Sequence, residues 1–181
     1  VLGMAGGVYL EVIAIDPDAP APQRPRWFGL DQPAMRARLV EGPFLAHWAA
    51  RVQAPDDLSA LQARHPDRIA PAIPMTRGDL RWRLTVPDDG SLPTWRDGGE
   101  AAGEGLLPTL IQWDVDAYPG ISLPRQPLAL VSLAGSHPRA ALLRQGLAWL
   151  GAGQLITVEQ ADGPPRLRAA IETPRGIKTL A

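Results

Sequence analysis

The strongest constraint on this chain is that one part of it echoes another. The stretch LRWRLTVPDDG (80–90) and the stretch LRAAIETPRG (167–176) both start with Leu-Arg and run through β-branched residues to Pro and then Gly. Each reads as a strand ending in a turn. The echo extends upstream, where Leu45-Ala46 and Pro55 are matched at equal spacing by Leu128-Ala129 and Pro138. A unit used twice must bury its apolar faces in a similar way each time.

The unit has a definite order of elements. FLAHWAARV (44–52) reads as a strand and PDDLSALQARH (55–65) as a helix, with Pro55 in its first turn and Leu58 and Leu61 one turn apart. IAPAIPM (69–75), LRWRLTVP (80–87) and, after a Gly-rich loop, LLPTLIQWDV (106–115) read as strands. The downstream copy runs PLALVSLAG (127–135), a helix opening at Pro138, then QLITVEQ (154–160), RLRAAIETP (166–174) and GIKTLA (176–181). We therefore expect a complete βαβββ module over 44–126 and a further one over 127–181.

Residues 1–43 fit neither module. GVYLEVIAID (7–16) resembles the last strand of such a module without the elements that should precede it. The expectation is an incomplete first module, either a piece of a longer chain or a strand completed by another copy, since an unpaired edge invites pairing. The Pro- and Asp-rich crossover to Phe44 should stay extended until a short helix starts near Pro33, capped by Asp31 or Gln32, with Trp27 and Phe28 as anchors.

Composition removes several functions. Eighteen Lys and Arg against 19 Asp and Glu leave a net charge of −1, too little field to gather nucleic acid or anionic lipid. No apolar run is long enough to span a membrane and no signal pattern opens the chain, so a cytoplasmic protein is expected. With no Cys, a metal must sit on His, Asp, Glu or Gln. No nucleophile elbow, Walker loop, dinucleotide fingerprint or H-E-x-x-H motif occurs.

A few residues have the chemistry for a site. By alternation His47 shares a face with Leu45, Ala49 and Arg51, with room for a ligand or metal, or it is a core imidazole bonded to a carbonyl. Its counterpart in the second copy is Leu130, so the repeat itself does not require it. Glu11, beside Tyr9 and Ile13 on its strand, either meets a cation, metal or proton, or points to water from an edge. Gln112 and Asp114 share a face and offer hard oxygens, or serve as a core amide and a strand-end acid. Arg81 and Arg83 flank Trp82 as anion forks or as surface ion-pair partners. His65 and His137, each before a Pro, read as solvent-facing loop residues.

YLEVIAIDPDAP, RPRWFGLD, RGDLRWRLTVPDDG, LPTLIQWD and the terminal TPRG together resemble the glyoxalase-like domain family of the vicinal oxygen chelate superfamily. The resemblance implies an α+β fold in which repeated βαβββ modules form curved, cupped mixed sheets, with a metal on first and last strands. Carried over, Glu11 matches a last-strand carboxylate that also moves a proton, His47 a first-strand ligand, and Gln112, ahead of Asp114, a last-strand ligand where Glu is usual. A remaining His ligand would lie upstream of Val1.

The implied function is a metal-dependent lyase, isomerase or dioxygenase acting on a small oxygenated metabolite, with Zn, Ni, Mn or Fe as cofactor unless the chain holds none. The alternative is a non-catalytic protein that sequesters a small ligand, with Trp48, Trp82 and Trp113 as walls and Arg83 as anion clamp. A small-molecule partner and a homodimer are expected, without nucleic acid or membrane.

Overall fold

The structure is a computed structural model describing residues 1–181. Its core elements begin with β3 (Ala49–Arg51), α2 (Leu58–Arg64), β4 (Ala72–Arg77), β5 (Leu80–Thr85) and β8 (Thr109–Trp113), preceded by β1 (Leu2–Gly3), β2 (Tyr9–Leu10) and α1 (Pro33–Val40). The strands β3, β4, β5 and β8 form one mixed sheet in the order β3-β8-β5-β4. β3 runs parallel to β8, and the other pairs are antiparallel. Regular pairing is shorter than the apolar runs suggested, because Phe44–Trp48 leads into the sheet without joining its ladder.

Strand alternation gives this sheet two different faces. Leu110 faces α2 and packs with Leu58 and Ile69, backed by Ala50 and Val52. The opposite, helix-free face carries Leu84, Val86 and Ile111, with Phe28, Ile73, Met75, Trp82 and Trp113 against them. Helix α2 starts later than Pro55 implied, because Asp57 is its cap and accepts the Ala60 N–H at 2.9 Å. A side-chain acceptor for an orphan amide fixes a helix start better than a preset φ alone.

The remaining elements are β6 (Trp95–Asp97), β7 (Glu100–Ala102), α3 (Pro119–Ser122), β9 (Ala129–His137), α4 (Ala140–Trp149), β10 (Thr157–Gln160), β11 (Arg166–Thr173) and β12 (Gly176–Leu180). The second sheet has the order β10-β9-β11-β12. It repeats the kinds of element but not the strand order: the strand after the helix lies at the far edge in the first sheet and parallel beside β9 in the second. The region expected as a Gly-rich loop holds the β6–β7 hairpin. Trp95 and Ala102 of that hairpin join Leu106, Leu107, Leu143 and Leu147 in the largest apolar cluster, which also takes in Val158 and Leu167 of the second sheet.

The N-terminal strand is only partly a strand. Tyr9 and Leu10 pair antiparallel with Gly3 and Leu2, and Met4, Val8 and Leu10 pack on Ala169 and Ile171 of the second sheet. From Glu11 the chain leaves any ladder, and Val12 is 84% exposed. The crossover helix α1 starts at Pro33 with Gln32 as cap residue, as its sequence predicts. Upstream of it, Gly29 N–H donates to Gly90 O at 2.8 Å. Gly90 has φ +71° and the Arg26 carbonyl stands where its side chain would be, so only glycine lets the crossover lie this close.

Candidate functional site

The residues proposed for a metal are held apart. His47 Nδ1–H donates to Gly105 O at 3.3 Å, and its Nε2 accepts the Thr109 N–H at 3.1 Å with Thr109 Oγ1 at 2.8 Å. An accepting Nε2 leaves the proton on Nδ1, so the ring is neutral and has no free lone pair. Phe28 covers it, with ring centroids 5.1 Å apart. Burial lowers its pKa to about 4, opposed in part by the Gly105 carbonyl. This is the carbonyl-bonded core imidazole of the two sequence readings.

Gln112 is turned the other way. Its Oε1 accepts the Leu58 N–H and its Nε2 donates to Asp56 O, both at 2.8 Å. It ties the start of α2 to β8 on the helix-covered face, whereas His47 belongs to the open face. The cause is register: Trp113 and Ile111 take the open face of β8, so Gln112 between them cannot. Glu11 is exposed on the segment after β2, and its carboxylate makes no hydrogen bond or ion pair. No three His, Asp or Glu side chains converge closely enough to hold a metal. The donors implied by the resemblance therefore do not fit a metal.

Arg83 is also engaged. Its Nη1 meets Asp57 at 2.8 Å and Ser59 at 2.9 Å, and its Nη2 meets Asp114 at 2.7 Å. These bonds raise the Arg83 pKa, Asp114 contributing most, and hold the Asp57 carboxyl below its ordinary value. The fork clamps protein carboxylates on the α2 side, so Arg83 is not an anion clamp for the open face. Trp48 donates Nε1–H to Leu106 O at 3.0 Å and packs on the main core, so it is not a wall of the open face. His137, expected in solvent, is fully buried; Arg139 N–H donates to its Nδ1 at 2.7 Å, and its Nε2–H donates to Glu104 at 2.9 Å.

What the fold does bring together is an apolar surface. Met75, Trp82 and Trp113 stand side by side across three strands of the open face. Trp113 stacks on Tyr118 at 5.9 Å, and Arg51 lies over the Tyr118 ring at 4.6 Å and donates to its hydroxyl. Nearby, burial, then Glu11 and Tyr118, push the Tyr9 phenol up to about 12.

Beside this row a pocket of about 340 Å³ opens between the edge of the sheet and the extended crossover. Ile73, Met75 and Val86 form its floor, and Ile13, Ile15 and Trp27 its roof and wall. Arg24, Arg26 and Asp16 are the charged residues of its lining. Sequence reading missed this site, although its residues were in view: Ile13 and Ile15 stand two apart in the apolar run before Asp16, and Ile73 and Met75 flank Pro74.

The model of the glyoxalase-like domain family matches residues 1–151. The chain belongs to the glyoxalase-like domain family. The family is part of the vicinal oxygen chelate superfamily, and the mixed α+β architecture agrees with that fold. No curated protein and no solved structure gives a significant match to this glyoxalase-like domain. Many members of the superfamily hold a divalent metal, whereas here His47 and Gln112 spend their lone pairs inside the protein. None of the helices in this glyoxalase-like domain is long and apolar enough to cross a membrane.

Proposed function

We propose that this glyoxalase-like domain binds a small, largely apolar ligand in the pocket under residues 13–27. The observation that carries this is the pocket itself: about 340 Å³ on the open face, floored by Ile73, Met75 and Val86, at the lower end of ligand-sized sites. The apolar lining supplies the free energy of binding, roughly 25 cal/mol per Å² of apolar surface removed from water. The metal-dependent lyase or dioxygenase reading finds no support in the donor set, since His47 and Gln112 are committed to Thr109, Gly105 and the start of α2.

The test pairs a cavity-filling variant with metal analysis. Naphthalene-sized probes should shift the Ile73 and Met75 methyl resonances of the wild type and leave the Ile73 methyl resonances of Met75→Trp unmoved, with both proteins showing the same circular dichroism. Equilibrium dialysis against Zn, Ni, Mn and Fe should show no stoichiometric uptake. A bound metal lost in His47→Asn would overturn this reading in favour of a metal enzyme.

A further inference from the structure

We infer that the ligand of this pocket is an apolar carboxylic acid whose carboxylate is taken by Arg24. The inference rests on the pocket reading above and adds the ligand's class. Three charged residues line the pocket, two cations and one anion. Arg26 is tied more firmly than Arg24: its Nη1 donates to Asp31 Oδ1 at 2.9 Å in a pair whose side chains are 27% and 32% exposed, and its backbone N–H fixes the same carboxylate through Oδ2 at 2.8 Å. Asp31 is further held by Arg36 at 3.2 Å, and the Arg26 backbone bond leads the contacts that lower its pKa. Asp16 is turned toward its own backbone, accepting the Asp18 N–H at 3.0 Å.

Arg24 is different. Its one partner is Asp88, through a single contact of 3.1 Å between side chains that are 53% and 81% exposed. An exposed pair of this kind contributes little and exchanges readily. A guanidinium has five N–H donors in a planar fork that matches a carboxylate, and this one uses a single Nη2. Arg24 sits at the rim of an apolar pocket, so an acid can bury its hydrocarbon on Ile73, Met75 and Val86 while its carboxylate replaces Asp88. A neutral molecule of equal size gains the apolar contact alone.

The experiment titrates 1-naphthoate and 1-naphthalenemethanol, matched in apolar body, into the full chain and into Arg24→Gln and Asp88→Asn, following the Ile73 and Met75 methyl resonances. Naphthoate should bind the wild type about two- to fivefold more tightly than the alcohol. Arg24→Gln should remove that preference without changing affinity for the alcohol, and Asp88→Asn should increase it. Equal affinities in the wild type, or a preference that survives Arg24→Gln, would overturn the acid assignment and leave the pocket standing. If neither probe moves the two methyl resonances, the pocket reading fails with it.

Discussion

Acidification should destabilise this protein through His47, and the size of the effect follows from how the ring is enclosed. A free imidazole titrates at 6.5 and the His47 ring at about 4, a difference of 6.5 − 4, or about 2.5 units. Between those values the unfolded chain takes up a proton that the folded chain refuses. The contribution is complete above the unfolded value, declines as pH falls from 6.5 toward 4, and is flat below. At about 1.4 kcal/mol per unit, roughly 3 kcal/mol is lost across the window, against a total of about 5–15 kcal/mol for an ordinary domain.

Urea unfolding followed by tryptophan fluorescence measures it, with His47→Gln as reference because the variant keeps every other titrating group. His47→Gln should be the less stable protein near neutrality, and its deficit should shrink by roughly 3 kcal/mol as the pH is lowered through the window. A deficit that does not vary with pH, or a ring titration by NMR centred near 6.5, would show that the imidazole is open to solvent and that the closed-donor account of this site is wrong.

Two more outcomes test the packing around the site. Gln112→Leu should cost about 1–3 kcal/mol by leaving the Leu58 N–H and the Asp56 carbonyl without partners, seen as faster amide exchange in α2 before global unfolding. Gly146→Ala places a methyl carbon 2.8 Å from the Trp95 ring, so the clash, about 1–3 kcal/mol, should outweigh the gain of about 1 kcal/mol in helix propensity. A rise in melting temperature would refute the close packing of α4 on the β6–β7 hairpin.

The element kinds were legible because they depend on local periodicity. α1 begins at Pro33 and β11 covers Arg166–Thr173, close to the spans their residues suggest. The site was less legible, since whether a donor is free depends on what faces it. His47 is the right residue type for a ligand, yet the 103–109 loop reaches both of its nitrogens, and that loop lies more than 50 residues away in sequence. Arg83 reads as an anion fork until Asp57 and Asp114, from a helix cap and a strand end, close on it.

The family and the α+β class were carried by the chain's own words, RGDLRWRLTVPDDG and LPTLIQWD among them. Charge, the lack of cysteine and the βαβββ order of elements needed no coordinates either. Only the tertiary structure decided the strand order of the second sheet, the face on which Gln112 points, and the existence of a pocket under the crossover. Hydrophobic pattern specifies which side of a strand is buried. Which distant segment buries it, and which polar groups that segment satisfies on the way, are set by contacts between residues far apart in the chain.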